Sequence, residues 1–198
     1  MKISIILGTR PEIIKMSPII RECINQNIDH FIIHSNQHYS ENMDAIFFKE
    51  LELEAPKYNL NVGSGLHGEM TSKILTGVEK ILLEEKPDWV LVQGDTNTVL
   101  AGALAASKLQ IKVGHVEAGL RSYDRSMPEE INRIVTDHIS NALFCPTQKQ
   151  ADIVINEGIE KEKIIITGNT IVDAVYQNIE LLKNHPEFDH YQKENYFL

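Results

Sequence analysis

Cysteine is nearly absent: Cys23 and Cys145 are the only two in 198 residues. They share no Cys-x-x-Cys spacing, so neither a disulfide framework nor a thiolate metal site is in view. Cys23 falls in a helical pattern and Cys145 at the end of an apolar run, and both read as buried reduced thiols. No apolar run approaches the ~18–20 residues that span a bilayer. The opening Met1-Lys2-Ile3-Ser4-Ile5-Ile6-Leu7 is too short for the apolar core and cleavage site of a secretion signal. A cytoplasmic protein that stays off the membrane is therefore expected. Positive charge is also scarce: 19 Lys and Arg stand against 28 Asp and Glu, a net charge of −9. With no long basic run, wrapping a nucleic-acid backbone is excluded, and a phosphate would be met by a few placed groups. The Walker pattern Gly-x-x-x-x-Gly-Lys and the Gly-x-Ser-x-Gly elbow are both missing, which removes support for P-loop and serine-hydrolase chemistry. His34 and His38 are four apart but straddle a strand end, so no metal site is expected.

What the chain does have is a regular alternation. Apolar residues make up 42% of it, enough for a sizeable core. Short runs at 3–7, 31–34, 89–92, 112–116, 142–145 and 163–167 read as strands buried on both faces, with a weaker candidate at 58–62. Between them, 11–25, 41–49, 69–85, 97–109, 128–140, 148–157 and 171–183 read as helices. Met70, Ile74, Val78, Ile81 and Leu82 recur at helical spacing in the third. This order predicts an α/β fold, a doubly wound, open parallel sheet over residues 1–183. The polar stretch at 184–195 reads as a linker, and Tyr196-Phe197-Leu198 as the start of a further apolar run. Residues 184–198 are thus expected to lead into a second domain.

In such a sheet ligands lie beyond the carboxyl ends of the strands. Five polar loops occupy that edge: Gly8-Thr9-Arg10, Asn36-Gln37-His38, Gln93-Gly94-Asp95, Glu117-Ala118-Gly119 and Gly168-Asn169-Thr170. Arg10 and Lys15 sit at a helix start, where free N–H groups and the helix dipole attract anions. Asp95 or Thr96 could cap the helix at Asn97, and the sequence leaves that open. Glu117 directly follows a buried strand and is not placed to cap a helix. Glu129 has a plainer reading, in a capping box Ser126-x-x-Glu129 or a pair with Arg133 one helical turn on. Arg121 and Arg133 add positive charge near these acids, a pattern suited to acid–base chemistry on an anionic ligand. Gly63-Ser64-Gly65-Leu66-His67-Gly68 matches a dinucleotide fingerprint only by letter, because it follows a weak strand that is not the first. His115, inside a strand, reads as a core histidine.

Together these residues resemble the non-hydrolysing UDP-N-acetylglucosamine 2-epimerases. The matching motifs run in order from Gly8-Thr9-Arg10-Pro11-Glu12 with Lys15, through Gln37-His38, Gln93-Gly94-Asp95-Thr96 and His115-Val116-Glu117-Ala118-Gly119-Leu120-Arg121. They continue with Pro128-Glu129-Glu130, Asn132-Arg133 and Gly168-Asn169-Thr170. The resemblance implies a Rossmann-like domain, the N-terminal half of a two-domain glycosyltransferase-B arrangement with the site in the cleft between halves. It implies interconversion of UDP-GlcNAc and UDP-ManNAc, with no cofactor, by elimination and re-addition of UDP through 2-acetamidoglucal. Asp95, Glu117 and Glu129 match the family's acid–base carboxylates, and Arg10, Lys15, Gln37 and Arg133 its substrate-binding residues. A homodimer is implied as well. The chain lacks the family's second domain with its catalytic histidine, so inactivity of these 198 residues alone is expected. Ser40 stands where regulated bacterial members carry a second glutamine, which sets allosteric control by UDP-GlcNAc in doubt. The rival expectations are a glycosyltransferase-B sugar transferase and a non-catalytic segment that binds a nucleotide sugar.

Overall fold

The computed structural model describes residues 1–36 and 41–183. Gln37, His38 and Ser40, and the linker and domain start expected over 184–198, lie outside them. Seven strands form one parallel sheet in the order β3-β2-β1-β4-β5-β6-β7. They are β1 (Lys2–Leu7), β2 (Asp29–His34), β3 (Tyr58–Asn59), β4 (Trp89–Gln93), β5 (Lys112–Val116), β6 (Ala142–Cys145) and β7 (Ile164–Ile166). The helices are α1 (Arg10–Asn25), α2 (Glu41–Glu50), α3 (His67–Glu85), α4 (Asn97–Lys108), α5 (Pro128–Ile139), α6 (Gln148–Asn156) and α7 (Thr170–Lys183). The chain winds outward from β1 to β3, then returns to place β4 on the other side of β1. This reversal opens the crevice at which ligands of doubly wound sheets sit.

The pleat explains why both faces are covered. Side chains alternate along a strand, so an all-apolar strand must bury two faces. In β1, Ile3, Ile5 and Leu7 pack with Ile13, Met16 and Ile20 of α1 and with Phe48 of α2. Ile6 points the other way, into a layer made with Ile74 and Val78 of α3 and Val99 and Ala105 of α4. A smaller cluster joins Leu143 and Cys145 of β6 to Ala151 and Val154 of α6. Both cysteines are free and buried. Among the described residues no helix is long and apolar enough to cross a membrane.

Several element boundaries differ from the sequence expectation, and two of them have a visible cause. The strand expected over 58–62 keeps the ladder only at Tyr58–Asn59. Beyond it the Leu60 and Val62 amides still donate to His34 and Ser35, but Asn61 takes φ 48° and turns the segment out of regular pairing. The last strand begins later than expected, because Lys161–Lys163 form a turn of 3₁₀ helix before Ile164–Ile166. The pseudo-fingerprint at 63–68 follows the edge strand β3, away from the first strand-to-helix turn.

The turn after β5 is packed closely against α6. Gly119 has φ +81°, and a Cβ there would lie 2.6 Å from the Gln150 carbonyl oxygen of α6. Gly119→Ala therefore combines a left-handed backbone with a clash against backbone that cannot give way. It should cost at least about 2 kcal/mol in denaturant-induced unfolding. A loss under about 0.5 kcal/mol, the range of an ordinary surface change, would show that the turn relaxes freely.

Candidate functional site

Asp95 and Glu117 come together at the carboxyl edge of β4 and β5, where both line a cleft of about 220 Å³. Lys15, Gln93, Thr96 and Glu12 share its lining. The cleft faces the reversal between β1 and β4, where the winding rule places a ligand.

Glu117 holds the centre. Its side chain is 10% exposed, and Lys15 Nζ of α1 donates to both carboxylate oxygens, at 3.0 and 2.7 Å. Gln93 Nε2, from the end of β4, donates to Oε2, and Asn169 Nδ2, from the turn before α7, to Oε1 at 3.2 Å. The backbone at Glu117 is left-handed, φ 67°, a conformation a side chain of this size adopts at a cost of order 1–3 kcal/mol. Such strain persists where surrounding contacts over-determine it, and here three side chains from three other segments do so.

Asp95 has a different partner. Arg133 Nη2 of α5 donates to its Oδ2, while Arg133 Nη1 reaches Glu130 at 2.9 Å. The neighbouring Asn132 donates to the Asp95 carbonyl oxygen at 2.9 Å, so α5 grips this loop twice. The question the sequence left open is answered by Thr96, which is the N-cap of α4 and accepts from the Val99 amide. Asp95 is thereby free of capping duty.

The other expected residues are placed less uniformly. Arg10, half-buried, lies with its guanidinium 5.9 Å from the Phe47 ring centre and does not line the cleft. Glu129 sits in the first turn of α5, and among the described residues it has no hydrogen-bond or ion-pair partner. Neither plainer reading of Glu129 is realised. Met127 is the N-cap of α5, Ser126 instead hydrogen-bonds Asp124, and Arg133 pairs with Asp95 and Glu130. Gln37 lies outside the described residues. Arg121 is corrected outright as a group for an anionic ligand. Its side chain is 1% exposed and fully engaged by Asp137 and Glu157. Burial works against its charge, but those two carboxylates outweigh it and push its pKa above the ordinary guanidinium value.

Sequence reasoning gave too little weight to Glu12. It was visible as the fourth residue of a capping box, and its carboxylate does accept from the Thr9 amide. It also accepts from the Gly8 amide and from the Thr96 hydroxyl at 2.6 Å, tying the start of α1 to the start of α4. Burial outweighs these donors and pushes its carboxyl up to about 7, with a smaller push from Asp95. Asp137 was missed entirely. The only available signal was its spacing of seven from Glu130, which puts two acids on one helix face.

Paired carboxylates and cations at the crevice of a Rossmann-like sheet define an acid–base site for an anionic ligand on an α/β domain. Comparison with known proteins narrows the class. The family profile described as UDP-N-acetylglucosamine 2-epimerase matches residues 21–198, and the chain belongs to that family. The UDP-N-acetylglucosamine 2-epimerase of Methanocaldococcus jannaschii is 67% identical over 185 residues, 93% of this chain and 50% of the relative. That of Methanococcus maripaludis is 62% identical over 202 residues, covering 100% of this chain and 55% of the relative. A crystal structure of the M. jannaschii enzyme in complex with UDP-GlcNAc and UDP superposes with a TM-score of 0.92 at 65% identity. It covers 96% of this chain and 53% of that one. The chain thus spans about half the length of the curated relatives it matches.

The raised carboxyl of Glu12 has a consequence for stability. In the unfolded chain it would titrate at its ordinary value of 4.5 and in the folded state at about 7. Below pH 4.5 both states are protonated and nothing is lost. Between these values the unfolded chain gives up the proton while the folded one keeps it. Folding stability therefore falls as pH rises, by about 3 kcal/mol once pH exceeds 7. Glu12→Gln, which keeps an acceptor for the two amides, should flatten that fall in urea unfolding run from pH 4.5 to 8. Parallel wild-type and variant curves would place the proton elsewhere.

Proposed function

We propose that this chain supplies the acid–base half of a UDP-N-acetylglucosamine 2-epimerase, which interconverts UDP-GlcNAc and UDP-ManNAc. The observation that carries the reading is the pair of carboxylates, Asp95 and Glu117, that line one cleft at the crevice of a domain that belongs to this family. Removing the C2 proton of the sugar requires a base, and the electrons of the C–H bond become the C1=C2 bond of 2-acetamidoglucal. The C1–O bond breaks and its electron pair leaves with UDP. In the return step a UDP oxygen attacks C1, and an acid delivers a proton to the other face of C2. Two carboxylates lining one cleft, each on its own loop, supply the base and the acid that the two steps need.

Lys15 and Arg133 fit the remaining need, which is charge. In the ligand-free cleft each cation neutralises a carboxylate, Lys15 on Glu117 and Arg133 on Asp95. A diphosphate entering beside the start of α1 competes for Lys15, with Arg10 close by, and so releases Glu117 as a base while the developing charge on UDP is met. Glu129, Gln37 and Arg133 complete the proposed set, Glu129 as a third acid–base group at the head of α5. The reading includes a pair of copies as the working form, acting in the cytoplasm, with the site closed by the half that the relatives carry.

The test is proton NMR of UDP-GlcNAc in D₂O. A chain extended by the half its relatives carry should place deuterium at C2 and form UDP-ManNAc, and the 198 residues alone should not. In the extended chain Glu117→Gln should slow the exchange at least ~100-fold, the usual contribution of a general base. Transfer of the sugar to an acceptor with no UDP-ManNAc formed would overturn the epimerase reading in favour of a sugar transferase.

A further inference from the structure

Behind the cleft lies a buried cluster that the acid–base reading leaves unused. His115 of β5 is 1% exposed, and its ring is held at both ends. Nδ1 lies 2.6 Å from Asp137 Oδ1 on α5, and Nε2 lies 2.8 Å from the Gly94 carbonyl oxygen. Asp137 accepts twice more on Oδ2, from the Gly119 amide at 3.2 Å and from Arg121 Nη1 at 2.7 Å. Arg121 in turn makes a two-point pair with Glu157, at 2.8 and 2.6 Å. The remaining ionisable group beside Asp137 and Arg121 is Cys145 of β6. Burial and the charge of Asp137 push its thiol up to about 11, so it carries no charge at neutral pH.

Hydrogen-bond accounting fixes the protons on the ring. A backbone carbonyl only accepts, so Nε2 carries a proton. An ionised carboxylate also only accepts, so Nδ1 carries one too. The sole escape is a neutral Asp137 donating to a bare Nδ1. That would set an uncharged acid against the Arg121 guanidinium and the Gly119 amide, both of which favour the ionised form at Oδ2. Burial alone would favour the neutral acid, yet His115 and Arg121 together hold Asp137 below the usual carboxylate range. With His115 charged, Asp137 stands between two cations, and Glu157, whose side chain is 29% exposed, meets the outer side of Arg121.

The endpoints of this cluster matter more than its interior. Gly94 immediately precedes Asp95, and Gly119 follows Glu117 by two residues. Both glycines are left-handed, at φ +86° and +81°, as is Glu117 at φ 67°. We propose that His115 is a doubly protonated imidazolium which, through Asp137, clamps the Asp95 loop to the Glu117 loop. His115 and Asp137 are then positioning residues: neither lines the cleft, and both set the spacing of the carboxylates that do. The benefit to epimerisation rests on the function proposed above. The protonation state and the clamp do not.

The test uses the chain as it stands. Long-range ¹H–¹⁵N correlation at pH 7 should show both His115 ring nitrogens bearing protons, assigned by their loss in His115→Gln. A bare ring nitrogen at that pH would overturn the imidazolium. For the clamp, Asp137→Asn keeps the shape and removes the charge. It should leave the ring singly protonated and move the backbone amide shifts of both Gly94–Asp95 and 117–119, while those of β2 stay. Shifts confined to α5 would overturn the clamp. His115→Gln reads the same two stretches from the other end should Asp137→Asn not fold, and the wild-type ring spectrum needs neither variant. No step uses UDP-GlcNAc, so a failure here leaves the proposed reaction to its own test.

Discussion

The Glu117 carboxylate cannot end a buried strand uncompensated, and the way the fold satisfies it organises the whole edge. Its partners come from α1, from the end of β4 and from the turn before α7. These segments are far apart in sequence and meet only because β1, β4 and β5 lie side by side in parallel register. An isolated buried carboxylate would cost several kcal/mol, so the edge must supply a cation and donors or the acid must be neutral. It supplies them. The same requirement explains why Glu117 tolerates a left-handed backbone: three directed partners are worth more than the strain of one residue.

The layers of the sheet were legible because they obey one rule. Strands such as Ile3 to Leu7 are apolar on both faces, and only a sheet covered on both sides accommodates that. The helices that cover it, α1 and α3 especially, show their buried faces at helical spacing. The rule fails at α5. There Glu130, Asn132, Thr136 and Asp137 are buried, while Ile131 is 40% exposed. Read by hydrophobicity, α5 would turn its polar side outward. It turns that side inward because the loops it faces are polar and need fixed partners. Asp137 and the pairing of Arg121 were therefore invisible to a periodicity argument, whereas Glu117 and Asp95 were legible from their places at strand ends. Ser126 misled for a related reason: a capping box is a local pattern, and here Met127 takes the N-cap place while the Ser126 hydroxyl donates to Asp124.

Glu12 shows the opposite lesson, that a local pattern can be right and incomplete. The capping role is real, but the carboxylate that serves Thr9 also receives Thr96, the cap of α4. Two helix starts flanking the crevice are thus tied by one buried acid. Each helix start presents amides and positive dipole toward the cleft. Fixing their relative position fixes the direction from which an anion can be met.

The ion pairs of the site differ in kind, and the difference assigns them roles. Arg121 with Asp137 is sealed, the two side chains 1% and 0% exposed. Lys15 with Glu117 is not, since the lysine is 27% exposed. A sealed cluster of this sort is a poor source of stability, because apolar side chains of equal volume often do as well. What it offers instead is direction: hydrogen bonds at fixed angles to Gly94 and Gly119 that no leucine could provide. An open pair has the complementary property. Its cation is open to water and to an incoming anion, and when it leaves, the donors from Gln93 and Asn169 remain on Glu117. A cleft that must bind a diphosphate and then expose a base needs both kinds, a rigid frame to hold the carboxylates apart and a loose cation to uncover one of them on arrival of the ligand.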